Sequence, residues 1–121
     1  MNAREHRPLV YLACPYSDPD QEVRLKRFYA ANVIASELMR TRHENVFSPI
    51  SHTHPIAEDG GLPLGWDFWQ ECDRAILSVC HKMYVLKLDG WQNSRGVLAE
   101  MDIAGQMGLP IEFLDGSKIL S

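Results

Sequence analysis

The sequence predicts a single α/β domain built around a parallel β-sheet. Short apolar runs alternate with longer segments of helical periodicity in the order β-α-β-α-β-α-β, which is typical of parallel sheets with right-handed crossovers. The chain has 121 residues, 45% of them hydrophobic and 23% charged, as in one average globular domain. We therefore expect one three-layer, flavodoxin-like (Rossmann-like) domain over residues 1–121, with four or five parallel strands in the order 2-1-3-4.

Four apolar runs predict the strands. The first, residues 9–14, is apolar almost throughout, which is typical of a strand buried on both faces. A weaker run at 45–48 is stopped by Pro49, and a third at 82–88 ends in the turn residues Asp89 and Gly90. Residues 109–114 predict the fourth strand.

Three segments with helical spacing predict the helices. Residues 21–42 form the longest, with an apolar face made of Phe28, Ala31, Ile34, Ala35 and Leu38. Residues 66–79 follow the same period through Phe68, Cys72, Ala75, Ile76 and Val79. The third, residues 94–106, starts at a good N-cap, Ser94, and Gly108 is a suitable cap beyond its end.

The segment 49–65 has no apolar periodicity but contains three prolines and three glycines. A connection of this length predicts a lid, a binding loop or disorder. It also carries His52 and His54, followed by Glu58 and Asp59. Two histidines and a carboxylate can bind zinc. Since no third histidine or paired cysteine is near in sequence, we expect the histidines to contact substrate or a neighbouring subunit and predict no metal site.

Composition narrows the classes of partner. The net charge is −4, and the only basic cluster, Arg24, Lys26 and Arg27, lies within a helical pattern, which disfavours a nucleic acid polymer as ligand. No run approaches the ~20 apolar residues of a membrane span. Three cysteines without a CxxC pair are typical of reduced thiols, so we expect a cytoplasmic protein. No glycine-rich dinucleotide or phosphate loop is present, and no cofactor is predicted.

The predicted topology places a ligand site before any motif is considered. In open parallel sheets, ligands bind beyond the carboxyl ends of the strands, where the strand order reverses. Here that point falls between the first and third strands, where the loops 14–18 and 89–94 meet. Three residues of these loops, Tyr16, Ser17 and Trp91, are therefore candidate substrate contacts.

The start of the third helix is a candidate anion site. The segment reads Ser94-x-Gly96-Val97-x-x-Glu100. A capped helix start offers free N–H groups and a partial positive charge, and Gly96 lets a ligand approach the backbone. Glu100 lies within reach of the same ligand. The alternative is an ordinary capped helix with a solvated glutamate.

Asp73 is the second carboxylate of interest. It shares a helical face with Trp66, Trp69 and Ile76 or Leu77, and partly apolar surroundings raise the pKa of a carboxyl, as a general acid requires. The alternative is an exposed aspartate beside a tryptophan-rich core face. Two carboxylates on different helices that face one cleft would suit the cleavage of a glycosidic bond.

These motifs resemble the nucleoside 2-deoxyribosyltransferase superfamily over about residues 9–114. The matching residues are Tyr11-Leu-Ala-Cys-Pro15, Asp73, Ser94-x-Gly96-Val97-x-x-Glu100, Ala104 and Gly108-Leu-Pro110. The segment from Ser94 to Glu100 is especially similar to the branch that hydrolyses the N-glycosidic bond of deoxynucleoside 5′-monophosphates. The stretches around 47–51, 60–63 and 66–69 resemble a small bacterial family of uncharacterised proteins with that fold.

The resemblance implies roles for individual residues. Glu100 matches the catalytic glutamate that attacks or stabilises the anomeric carbon, Asp73 the aspartate that assists the leaving base, and Tyr11 the tyrosine that orients the glutamate. The segment that holds the 5′ end of the ligand corresponds to Ser94, Gly96 and Val97. The resemblance also implies a homodimer or higher homo-oligomer in which a neighbour completes the active site.

The sequence departs from that pattern at three places. The transferases carry aspartate where this chain has Ser94, which favours a phosphate over a 5′-hydroxyl. Cys14-Pro15 replaces the usual glycine after the first strand, and residues 49–65 have no clear counterpart. We expect an enzyme that cleaves or transfers the N-glycosidic bond of a nucleotide or nucleoside without a cofactor. The alternatives are a non-catalytic nucleotide- or phosphosugar-binding module and a metal-dependent hydrolase that uses His52 and His54.

Overall fold

Four parallel strands form the central sheet of the structure, a computed structural model that describes residues 6–116. They are β1 (Leu9–Ala13), β2 (Asn45–Phe47), β3 (Lys82–Lys87) and β4 (Ile111–Asp115). Their order across the sheet is β2-β1-β3-β4, and every neighbouring pair is parallel. The predicted strand order 2-1-3-4 is confirmed.

Helices cover both faces of the sheet. They are α1 (Gln21–Arg42), α2 (Pro49–Gly60), α3 (Trp66–Leu77) and α4 (Arg95–Gln106). One apolar cluster joins α1 and α2 to one face of the sheet, and a second joins α3 and α4 to the other. This is the expected three-layer, Rossmann-like arrangement. Within residues 6–116, no helix is long and apolar enough to cross a membrane.

Strand β1 supplies side chains to both clusters because successive residues point to opposite faces. Val10 and Leu12 belong to the cluster under α1 and α2, whereas Tyr11 and Ala13 belong to the cluster under α3 and α4. All four are fully buried. The alternation directs the Tyr11 side chain toward the layer that carries Asp73 and Glu100.

The prediction of an irregular connection at 49–65 is wrong for most of that segment, because residues Pro49–Gly60 form α2. Pro49 begins the helix, where a missing N–H costs nothing. The buried face carries Ile50, Thr53, His54 and Ala57. That spacing is helical, but two of the four side chains are polar, so a search for apolar periodicity misses it.

The apolar face predicted for the second helical segment also needs correction. Phe68 is 49% exposed and Val79, which lies beyond the end of α3, is 60% exposed. The buried residues of α3 are Trp69, Asp73 and Leu77, which repeat at intervals of four. The face of α3 that packs against the core therefore carries a carboxylate.

Candidate functional site

A cavity of about 360 Å³ lies at the carboxyl edge of the sheet, next to the ends of β1 and β3. This is the predicted position, where the strand order reverses. The structure brings six of the predicted site residues to its wall: Tyr16, Ser17, Asp73, Ser94, Gly96 and Glu100. The loops that follow β1 and β3 and the helices α2, α3 and α4 all contribute to the lining.

Glu100 is a buried carboxyl on this wall. It is 4% exposed, and its Oε2 accepts a hydrogen bond from the Tyr11 hydroxyl. Burial raises the pKa of Glu100 to about 8, the Tyr11 hydrogen bond lowers it, and the nearby charge of Asp73 adds to the rise. Burial also raises the pKa of Tyr11 well above its usual range, with a further rise from the charge of Glu100. Tyr11 therefore stays protonated and remains a hydrogen-bond donor.

Asp73 brings a second buried carboxyl to the same cavity from α3. Its side chain is 7% exposed. Burial raises its pKa to about 6, and hydrogen bonding with Tyr11 acts in the opposite direction. Tyr11, which stands on strand β1, thus affects the pKa of both carboxyls. The direction agrees with the rise expected for Asp73 in partly apolar surroundings.

The start of α4 forms another part of the wall. Ser94 caps the helix, and its Oγ accepts a hydrogen bond from Val97 N at 3.2 Å. The Val97 side chain is fully buried in the core, so this residue faces a ligand only through its backbone. A Cβ built on Gly96 would lie 4.0 Å from both Ser94 Oγ and Glu100 Oε1. The missing side chain therefore leaves space between the helix start and Glu100.

Tyr16 and Ser17 hold the loop after β1 against the segment 49–65. A hydrogen bond of 2.5 Å joins the Tyr16 hydroxyl to His54 Nδ1, and Ser17 Oγ donates to the Leu64 carbonyl at 3.3 Å. His54 is buried and its ring lies 4.4 Å from that of Phe28. His54 therefore supports Tyr16 from behind and does not line the cavity.

Two predicted contacts lie elsewhere. The His52 ring is close to the rings of Phe47 and Trp69, at centroid distances of 5.8 and 6.2 Å, and it does not line the cavity. Trp91 stands in a single turn of 3-10 helix (Trp91–Asn93), packs on Phe113 and lines a separate cavity of about 690 Å³.

No metal centre is visible among the described residues. Across 6–116, no group of three or more histidine, cysteine, aspartate or glutamate side chains is arranged to hold a metal ion. His54, one of the two candidate zinc ligands, uses Nδ1 in the bond to Tyr16. Cys14 lines the main cavity as a buried thiol whose pKa is raised by burial.

Several residues of the wall were not predicted. Pro49, Ile50 and Thr53 reach it from α2, Asn93 from the 3-10 turn, and Arg95 from the first residue of α4. The helical spacing of Ile50, Thr53 and Ala57 was a usable signal for the first group. No comparable signal in the sequence pointed to Arg95, whose guanidinium forms an exposed ion pair with Asp67 at 2.7 Å.

Comparison with known proteins identifies the family. No curated protein matches the sequence. A family model described as a domain of unknown function, DUF1937, matches residues 8–115. The match extends from just before β1 to the last residue of β4 and includes every residue of the cavity wall. The chain therefore belongs to the DUF1937 family.

Proposed function

We propose that the protein binds a nucleotide or a nucleoside-like ligand and cleaves or transfers its N-glycosidic bond. The observation that carries this proposal is a pair of buried carboxyls, Asp73 and Glu100, that line one cavity and interact with one tyrosine hydroxyl. The resemblance of the segment from Ser94 to Glu100 to the nucleoside 2-deoxyribosyltransferase superfamily supports the same reaction.

The reaction needs one carboxyl with a proton and one without. As the bond to the base breaks, positive charge develops on the sugar and negative charge on the base. The sugar therefore needs an ionised carboxylate beside it, and the base needs an acid that can protonate it. The pKa values of Asp73 and Glu100 are raised to about 6 and about 8. Interacting carboxyls titrate as a unit. Near neutral pH the pair therefore holds a single proton.

The family resemblance and the contact between Tyr11 and Glu100 support one assignment of the two roles. Its hydroxyl donates to Glu100 Oε2, and a hydrogen bond to a carboxylate favours the ionised form. In the free protein the higher pKa places the shared proton on Glu100, so the proposed reaction requires that proton to move to Asp73 when the ligand binds. Glu100 is then the nucleophile, or the group that stabilises the oxocarbenium ion. Asp73 carries the proton and delivers it to the leaving base. Tyr11 orients Glu100.

The start of α4 binds the other end of the ligand in this proposal. Ser94 caps the helix, and Gly96 opens the backbone toward the cavity. The first turn of a helix attracts anions through its free N–H groups and its dipole. The exposed guanidinium of Arg95 adds positive charge beside it. A 5′-phosphate fits this position better than a 5′-hydroxyl.

The test is release of free base from ribo- and deoxyribonucleoside 5′-monophosphates, followed by chromatography. We expect at least one member of the panel to lose its base, and Glu100→Gln to slow that release by about 1,000-fold or more, since the variant lacks the ionisable carboxyl. Glu112→Gln is the matched control. Glu112 lies on β4 and bonds Lys82 and Arg42 outside the cavity, so its variant should release base at the normal rate.

The outcomes separate the possible functions. If no nucleotide in the panel loses its base, the protein is not a glycosidase for these substrates. Saturable binding without release would then identify a non-catalytic binding module. Equal release by Glu100→Gln and the unmodified protein would contradict the role of Glu100. Transfer in place of hydrolysis would appear as a new nucleoside or nucleotide when a second base is added.

A further inference from the structure

Thr53 is a buried polar residue without a partner in the protein. It lies on the buried face of α2 and is 6% exposed. Its polar neighbours on the helix are satisfied: His54 bonds Tyr16, and Ser51 bonds Asn32 and Ser48. Within residues 6–116, the Thr53 hydroxyl has no hydrogen bond. Buried hydroxyls normally have a partner, because an unpaired one costs stability.

Thr53 borders the cavity of about 360 Å³ that holds Asp73 and Glu100. Among the described residues, the only fully covered side-chain nitrogen or oxygen without a partner is Nε of Arg24, so the Thr53 oxygen retains accessible surface. Because Thr53 borders the cavity and its oxygen retains accessible surface, a group bound in the cavity is the candidate partner for this hydroxyl.

The surroundings of Thr53 suit a flat, uncharged group. Ile50, Leu64, Trp66 and Trp69 line the same cavity. Trp69 donates its Nε1–H to the Pro63 carbonyl at 2.7 Å, which fixes the indole and leaves its ring as an apolar surface. Aromatic and aliphatic walls of this kind accept planar heterocycles.

We infer that Thr53 recognises the edge of the heterocyclic base of the ligand. A hydroxyl can donate or accept, so it matches an amino group, a carbonyl or a ring nitrogen. Helix α2 belongs to the layer opposite α4, so the base lies against α2 and the anionic end against the start of α4. This inference rests on the proposed function, because it assumes a nucleotide-like ligand.

The test uses Thr53→Val, which keeps the shape of the side chain and removes the hydroxyl. The probes are adenine, guanine, cytosine and thymine as free bases and inorganic phosphate, titrated by calorimetry. For the base that binds most tightly, we expect affinity to fall about 3- to 10-fold, as for the loss of one neutral hydrogen bond. Phosphate affinity should not change. Thr53→Ser retains the hydroxyl and should keep most of the affinity for the base.

The matched control is Thr41→Val on α1, whose hydroxyl bonds the Glu37 carbonyl away from the cavity. It should leave base binding unchanged. Since Thr53 makes no bond within the described chain, Thr53→Val should melt at the same temperature as the unmodified protein or higher. A lower melting temperature with equal losses for base and phosphate would indicate a structural role and overturn the inference.

Two further results would also overturn it: unchanged base affinity in Thr53→Val, or no binding of any free base to the unmodified protein. Failure of the proposed function looks different. If Thr53→Val weakens base binding but no nucleotide releases its base, the recognition role stands and the catalytic proposal fails. If base is released while Thr53→Val binds bases normally, the reaction stands and the role of Thr53 fails.

Discussion

Glu100 makes the stability of the folded protein depend on pH. An ordinary glutamate has a pKa near 4.5, and burial raises that of Glu100 to about 8. Between these values the unfolded chain releases a proton that the folded protein retains. The unfolded state therefore binds fewer protons, and the free energy of unfolding falls as the pH rises through this range.

Glu100→Gln should remove that dependence because glutamine does not ionise. Between pH 5 and pH 8, the free energy of unfolding of the variant should rise relative to that of the unmodified protein by on the order of 3 kcal/mol, at about 1.4 kcal/mol for each pH unit. Urea unfolding at a series of pH values measures the difference. Parallel curves for the two proteins would contradict a raised pKa at Glu100.

Glu112→Gln is a control in which the stability relative to the unmodified protein should change with pH in the opposite direction. Hydrogen bonds from Lys82 and Arg42 lower the pKa of Glu112. Its ionised form therefore stabilises the folded protein above the ordinary glutamate pKa, and this contribution is lost as the pH falls. The variant should lose stability relative to the unmodified protein as the pH rises through that region. The effect should be small because the side chain is exposed to solvent.

Sequence reasoning found some site residues and missed others for a physical reason. Asp73 and Glu100 were predicted from their helical positions, and Tyr11 from the family resemblance, and the structure brings these three side chains together. Thr53 was not predicted. Thr53 is of interest because it is buried and its hydroxyl has no partner within the described chain. Neither property can be predicted for a threonine before the packing of its helix is known.

At the level of elements, the first turn of α4 combines helix formation with ligand binding. Gly96→Ala should strengthen the helix by up to about 1 kcal/mol, since an added Cβ meets no protein atom closer than 4.0 Å. The methyl group would lie between Ser94 Oγ and Glu100 Oε1, in the space proposed for the ligand. We therefore expect higher thermal stability together with base release that is roughly 10- to 100-fold slower.

Gly105→Ala is the matched control for this prediction. Gly105 lies in the last turn of the same helix, and a Cβ built on it meets nothing within 4 Å. This variant should gain stability and keep its activity. If Gly96→Ala also kept full activity, the ligand would not approach the start of α4.

The elements differ in how readily the sequence reveals them. Residues 21–42 were predicted with the correct bounds because small and apolar residues repeat along one face of α1. The same approach fails for α2, where Thr53 and His54 occupy buried positions and Pro55 interrupts the helix. The buried histidine has its partner in Tyr16 and the buried threonine borders the cavity, and both Tyr16 and most of the cavity wall come from distant parts of the chain.

At the scale of the whole molecule, the outer face of α1 is a candidate contact between copies. Leu25, Tyr29 and Val33 repeat every fourth residue and are 39%, 57% and 46% exposed. Such a stripe favours association, which the homo-oligomer implied by the family resemblance requires. Tyr29→Asp should place a charge within the contact and shift the protein toward the monomer, as measured by light scattering after size-exclusion chromatography.

Met107→Asp tests whether any exposed apolar residue has the same effect. Met107 is 44% exposed and follows α4, outside the stripe on α1, so its variant should keep the oligomeric state of the unmodified protein. A monomeric unmodified protein, or a Tyr29→Asp variant that remains associated, would contradict the assignment of this face.

Helix α2 lines the cavity, so ligand binding there should affect the stability of the fold. Pro55 deprives this 12-residue helix of one backbone hydrogen bond, and the side chain of its N-cap, Ser48, makes no capping hydrogen bond to a backbone N–H of the first turn. The cavity lies between α2 in one layer and α3 and α4 in the other. A ligand bound there contacts both layers, and its binding free energy adds to the free energy of unfolding. We therefore expect resistance to proteolysis within α2 to increase as the ligand concentration increases.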